Sequence, residues 1–515
     1  MKLSFPVRIY IVALILRLIP ILLTRGLGIG LDDMFQYDML ARSLASGNGF
    51  RWYAQADLSQ LAEYVNFDLT TAKGYDPQYG LYTSFRAPFY PVFLAVVYFF
   101  SGTDFSRFFA ARLAQVVLLS APLAPLTYLV SKYFSKSFFP DKTELGKAAK
   151  ISAWLVALSP MLIVYPLGLG TENPFFVLLL TSFLFLLKSI EQPTKLNFIL
   201  AGIFLALTAL TRSVILPFAG LAILYVIARS GATKQSQIIK EIAHLQLHWR
   251  VAQVSGKNAP RNDIFLMGIV FVLVLAPWVV RNSLLHHKLT GIETSMGYNL
   301  YLGYHPQGNG SFVFGPSLDL LAIMDDAERD EIGTQKAIEF IKARPERIIP
   351  LAINRLGFFF GLEKRALMYF YSNNLIGYIP KPLLIFIAAI LLLPFVVIGV
   401  SAMLGLSLLK WNPQSILLVL LFFTYLLPHV LILSEDRFHL ALIPFLVILA
   451  VQFWSGGYRK ISARWNESFT GKILVLLTVI GVCLLFLNWG FELSRDADKI
   501  AQILGPNGNT SHFTY

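Results

Sequence analysis

One cysteine is present in 515 residues, Cys483, and it sits in an apolar run, so neither an intrachain disulfide nor a cysteine-based metal site is available. Charge is also scarce. Asp, Glu, Lys and Arg make up 14% of the chain, against roughly 25% in a soluble domain. Hydrophobic residues reach 56% and the mean hydropathy is +0.61. These values exclude a disordered chain, a freely secreted globule and an ordinary cytosolic enzyme. No internal repeat, low-complexity tract or two-residue apolar alternation is evident. Backbone groups in lipid must bond within a helix or a closed barrel, so the spanning elements are expected to be helices. No phosphate-cradling glycine loop is seen, which argues against a nucleotide-bound substrate. The formal charge of +13 is explained by cytoplasmic Lys and Arg flanking membrane helices, and no nucleic-acid partner is expected.

What is present is a series of uncharged runs long enough to cross about 30 Å of hydrocarbon: 113–131, 151–171, 264–280, 382–409, 411–434, 438–458 and 473–491, with shorter ones at 87–103, 173–187, 196–211 and 213–228. The first apolar segment, about 5–25, contains Arg8 and Arg17 and is followed by no small-residue cleavage site, so it reads as an uncleaved helix. The segments 132–150, 229–262 and 459–472 are rich in Lys and Arg and are expected on the cytoplasmic side, with the N-terminus. The more acidic loops 26–86 and 282–380 are expected outside. The expectation is an all-α polytopic protein of the plasma (inner) membrane with about eleven crossings (range 11–13). One conflict accompanies it. An odd number of crossings must separate residue 86 from residue 132, yet two apolar stretches, 87–103 and 113–131, lie between them.

The chemistry is concentrated in the outer loops. Asp32 and Asp33 stand a few residues beyond the first membrane helix. Tyr37, Leu40, Ala41 and Leu44 then recur at helical spacing and end at Gly47-Asn48-Gly49, which predicts a short helix on the membrane surface. The two aspartates suit helix capping and equally suit a reaction at headgroup depth. Arg86, Arg281 and Arg437 each sit at an outer membrane boundary, against the positive-inside trend. Arginine keeps its charge in any environment and binds phosphate through two donors, so the three together predict an anionic headgroup site. Glu172 begins an apolar segment, where a carboxylate is a functional candidate, although Thr171 beside it suits a helix start. Tyr298 and Asn299, in a Gly- and Tyr-rich stretch, are candidate sugar contacts. His286 and His287 are adjacent and do not share a helical face.

The order Asp33-x-x-x-Tyr37-x-x-x-Ala41, Gly47-x-Gly49-Phe50, Arg86-Ala87-Pro88-x-Tyr90-Pro91, Thr171-Glu172, Thr211-Arg212, Pro277-Trp278-x-x-Arg281-Asn282 and Arg437-Phe438 with Pro444 resembles the integral-membrane glycosyltransferases of the GT-C superfamily. The branch it resembles contains lipid A aminoarabinose and galacturonic acid transferases and, more distantly, protein O-mannosyltransferases. The chain differs from common members in Arg86-Ala87-Pro88 for Arg-Pro-Pro and in Arg437-Phe438 for Arg-Tyr. The resemblance covers about 5–455. It implies a GT-C transferase module over 1–455, with outer loops 26–86 and 282–380 forming the active site, and a last membrane helix and outer tail over 456–515. It also implies a polyprenyl-phosphate-linked sugar as donor and a lipid, glycan or protein hydroxyl as acceptor. Asp33 or its neighbour Asp32 would be the base, and Arg437 with Arg86 or Arg281 would bind phosphate. Some relatives use a divalent cation, for which Asp33 and Glu172 are the candidate ligands; no other cofactor is implied. Two other classes remain open. A lipid-linked glycan polymerase or ligase would lack an acid directly after the first helix. A transporter would show repeat symmetry and broken helices near the midplane.

Overall fold

The structure is a computed structural model and describes residues 3–67, 69, 72, 74–229 and 265–511. Among these, eight helices are long and apolar enough to cross a membrane: Phe5–Leu23, Arg107–Ser137, Glu172–Glu191, Phe265–His286, Lys381–Leu406, Pro413–Leu431, Asp436–Trp454 and Phe469–Arg495. A ninth forms if Lys142–Leu158 and Pro160–Leu167, bent by 54° at their junction, are taken as one span. Three shorter apolar helices, Phe89–Ser101, Lys195–Ala209 and Ser213–Arg229, accompany them. The chain is an all-α, multi-pass membrane protein. Eight to nine helices satisfy length and composition, where about eleven crossings were expected, and the difference lies in these short helices. The basic segment 229–262 falls almost entirely outside the described residues.

The short helix Phe89–Ser101 bears on the crossing conflict. It begins just after Arg86, which pairs with Asp33. Near its far end the Tyr98 hydroxyl donates to Asp38 at 3.0 Å, and just beyond it Arg107 Nε reaches Asp38 at 2.7 Å. Asp33 and Asp38 belong to one helix, Asp33–Ala45, so both ends of Phe89–Ser101 are tied to the same element. At 13 residues it is also shorter than the helices long enough to cross. Tyr37 and Ala41 pack against its Tyr90 and Leu94, while Val92, Val96, Phe99 and Phe100 are exposed on its other face. That is the pattern of a helix lying in the membrane interface.

One helix shows where the ends of the bundle are. Glu172–Glu191 is the buried central element, and its 20 residues span about 30 Å. At one end Glu191 meets Lys136 at 3.1 Å and Gln414 at 3.4 Å. Asn412 bonds Ser137 in the same region, and Lys460 lies over Phe138. Two of the three basic segments thus share this end. At the other end Glu172 meets Arg212 and Arg437, and Arg437 in turn meets Asp33 of the first acidic loop. The acidic loops carry a two-stranded antiparallel pairing, Arg51–Trp52 with Leu81–Tyr82, a short element that the sequence pattern did not reveal. They are joined to each other by Asp326, which accepts from the Ser84 amide at 2.8 Å and from the Thr83 hydroxyl.

Candidate active site

The site is built from the loop ends upward. The helix Asp33–Ala45 is capped by Asp32, whose carboxylate accepts from the Met34 amide at 2.8 Å. The helix ends before Gly47, which takes a φ of 77° that favours glycine. The two aspartates thereby separate. Asp32 is occupied by the helix end, and Asp33 turns to arginines. Asp33 Oδ1 pairs with Arg86 Nη2, and Arg437 Nη2 lies 3.4 Å from Asp33 Oδ2. Arg86 is aimed by Gln36, which accepts from its Nε at 2.8 Å, and it lies against the rings of Tyr37 and Phe85.

Arg437 is the centre of the cluster. It projects from the 3-10 turn Asp436–Leu442. Besides Asp33 it contacts Glu172 Oε1 at 3.4 Å, and its Nε lies 2.7 Å from Glu435 Oε2. Glu172 Oε1 is shared with Arg212 Nη1 at 2.9 Å, and Glu435 Oε2 is shared with Arg365 Nη1. A Cβ at Gly170 would lie 2.6 Å from Glu172 Oε2, so glycine there lets the Glu172 carboxylate fold back over its own helix start. The result is an alternating array, Arg86–Asp33–Arg437–Glu172–Arg212, with Arg437–Glu435–Arg365 branching from it. Asp33 keeps 36% of its side chain exposed, whereas the carboxylates of Glu172 and Glu435 are nearly closed off.

The environment sets the charges. Burial pushes Asp33 up, but Arg86, then Arg437 and Arg212, outweigh it and hold the carboxyl well below the usual range. Asp32 moves the other way, raised by burial and by the neighbouring Asp33 charge. Glu435 is raised by burial but lowered more by Arg365 and Arg437 together, leaving a net fall.

The structure brings Asp33, Arg86, Glu172 and Arg437 together. Tyr298 stands beside them, its ring edge-on to Phe85 at 5.5 Å and its hydroxyl bonded to Ser317 O. Arg281 stands apart. Its guanidinium donates to the backbone carbonyls of Thr83 and Phe50 and lies over Trp278, so it clamps the first acidic loop. Asn299, one position round its helix from Tyr298, is tied by its amide to Ser295 and its side chain does not join the cluster. His286 bonds Ser84 Oγ at 2.6 Å. Three members of the array were not assigned from the sequence. Arg212 entered only in the Thr211-Arg212 motif, with no role attached, Glu435 preceded the residue already chosen, and Arg365 lies in an ordinary charged run, Glu363-Lys364-Arg365.

A divalent ion held by Asp33 and Glu172 does not fit this arrangement. Each carboxylate already contacts two guanidinium groups, and among the described residues no group of three or more His, Cys, Asp or Glu side chains stands together as a metal site.

No protein-family model matches the chain, and no curated protein sequence matches it. Among solved structures, the chain is similar to the crystal structure of ArnT from Cupriavidus metallidurans bound to undecaprenyl phosphate. The identity is 12%, the match covers 90% of this chain and 79% of that one, and the TM-score is 0.36.

Proposed function

We propose that the chain is a membrane glycosyltransferase of the GT-C class. It moves a sugar from a polyprenyl-phosphate donor to an acceptor hydroxyl at the extracytoplasmic face. One observation carries this reading: a partly open carboxylate, Asp33, held between Arg86 and Arg437 at the acidic-loop end of an apolar bundle. A phosphate tethered to lipid arrives at that depth, and the arginines of the array are suited to receive it.

The chemistry follows from the donor set. The acceptor oxygen attacks the anomeric carbon and the carbon–oxygen bond to phosphate breaks. Arg437 and Arg86 stabilise the charge that grows on the departing phosphate. Asp33 accepts the hydroxyl proton. A single displacement inverts the anomeric centre. The ion pairs that hold the Asp33 pKa below the usual carboxylate range add an order to these events. While both arginines face Asp33, the carboxylate is a weak base. Once donor phosphate engages them, Asp33 loses its counter-charges and becomes a stronger proton acceptor. Donor binding therefore precedes proton transfer. The acceptor supplies a hydroxyl, whether borne by lipid, glycan or protein.

The test is mass spectrometry of polyprenyl-phosphate sugars and envelope glycans in cells expressing wild type or Arg437→Ala. A lipid-linked sugar that accumulates in the variant, with loss of that sugar from a glycan, supports the reading. Identical pools in the two strains overturn it.

A further inference from the structure

The outer end of the last membrane helix, Phe469–Arg495, is bonded closely to the loop that follows helix Ile348–Phe359. Asn488 Nδ2 donates to Gly357 O at 2.9 Å, and Trp489 Nε1 donates to Phe360 O at 2.8 Å. Glu492 Oε2 accepts from the Leu362 amide at 2.9 Å, while its Oε1 lies 2.6 Å from Lys364 Nζ. Asp496 pairs with the same ammonium group. The main chain at 357, 360 and 362 and the side chain of Lys364 are thus held by one helix end. The next residue is Arg365. Its guanidinium shares Glu435 Oε2 with Arg437, so any shift of residue 365 moves the carboxylate that orients Arg437.

We propose that Glu492 is a positioning residue for the phosphate-binding arginines: it fixes the 360–364 loop, thereby places Arg365, and through Glu435 sets the orientation of Arg437. The proposal rests on the reading that Arg437 receives the donor phosphate. It makes the last membrane helix part of the catalytic apparatus, although the family resemblance ends near residue 455.

A helix end that only adds stability would weaken every variant alike. A positioning residue acts through Arg365 and must lose its effect when Arg365 is gone. The experiment is a double-mutant cycle on the full chain in lipid–detergent micelles, read as the Kd for undecaprenyl phosphate by native mass spectrometry. Glu492→Ala is expected to weaken binding about tenfold in the wild-type background and less than about twofold in Arg365→Ala. Glu492→Gln, which still accepts from the Leu362 amide, is expected to recover most of the affinity. Equal losses in both backgrounds, or wild-type affinity in Glu492→Ala, overturn the proposal. If Glu492→Ala does not fold, Trp489→Phe, which removes the indole bond to Phe360, replaces it with about a threefold loss that also vanishes in Arg365→Ala. Arg437→Ala separates the two layers. Normal binding by Arg437→Ala defeats the donor-site reading. Loss of binding in Arg437→Ala with full binding in Glu492→Ala defeats the positioning role alone.

Discussion

Two sets of arginines divide this molecule, one buried and one partly exposed. Arg17, Arg112, Arg329 and Arg355 are almost wholly buried and spend their donors largely on backbone carbonyls. Arg17, within the first membrane helix, donates to Ala157 O and Val156 O at 3.1 Å and to Ser120 Oγ at 2.8 Å. Those carbonyls lie in the turn broken at Ser159-Pro160, where proline cannot donate back to the helix. Arg112 holds Leu167 O together with Leu27 O and Gly28 O, and Arg355 holds Leu431 O and Gly303 O. Arg329 divides its donors between Ile323 O and Asp326. The second set, Arg86, Arg212, Arg365 and Arg437, faces carboxylates. A carbonyl clamp is neutral and its geometry is fixed by the chain. A carboxylate partner carries a charge that an incoming phosphate can replace. The first set builds the bundle and the second is suited to exchange partners with a ligand.

The largest expected effect tests the second set at its open carboxylate. Asp33→Asn keeps the size of the side chain but cannot take the acceptor proton, and the transfer rate should fall by about 10²–10⁴. Asp32→Asn, which retains an oxygen for the Met34 amide, should be much milder. Near-wild-type transfer by both variants would remove the base from this helix. Next is Arg437→Ala, expected to lower transfer by about 10²–10³. Arg437→Lys should recover only part, because a single ammonium cannot span Asp33, Glu172 and Glu435 as the guanidinium fork does.

How far the sequence reveals these two sets depends on what each arginine meets. Asp33, Arg86, Glu172 and Arg437 were legible because each places a charge at a membrane boundary where composition disfavours it. Arg281 satisfied the same criterion and yet clamps Thr83 O and Phe50 O. Carbonyls have no sequence signature, so an arginine bound to them looks the same as one waiting for phosphate. Arg365 is the opposite case. Its run of charges resembles a solvated turn, and it joins the array because the last helix fixes the loop before it. The membrane helices were plain from their uncharged length. The helix Phe89–Ser101 was ambiguous because its exposed valines and phenylalanines match those of a crossing helix. Its Asp38 partners exist only in three dimensions.

The first set is tested through stability. Arg17→Leu leaves the Val156 and Ala157 carbonyls without their donor, at about 1–3 kcal/mol for each group left unsatisfied. The melting temperature in detergent should fall, while the rate per folded molecule stays near wild type. Arg281→Gln should behave in the same way, with affinity for undecaprenyl phosphate little changed. A specific loss of that affinity in Arg281→Gln would move Arg281 into the second set.

The smallest effect separates the two sets by pH. Unfolded, Asp33 titrates near 4; folded, the arginines hold it lower. A carboxyl lowered by folding contributes stability that is complete above its unfolded value and is lost as pH falls toward its folded value. No change is expected from this group between pH 7 and 5, and loss begins below about pH 4. Glu435 is lowered too and adds in the same direction. Asp32 is raised and opposes them, since protonating it on acidification relieves the cost of burying its charge and its repulsion with Asp33. Asp33→Asn removes both the paired carboxylate and that repulsion. Wild type should therefore lose more melting temperature between pH 5 and pH 3 than Asp33→Asn does. The carbonyl clamps behave differently, because neither a guanidinium nor a peptide carbonyl titrates in this range. Arg112→Lys should lower the melting temperature at every pH and leave its slope below pH 4 unchanged. Parallel acid slopes for wild type and Asp33→Asn would mean that the Asp33 ion pairs add nothing a neutral clamp would not, and the division between the two sets would fail at its central residue.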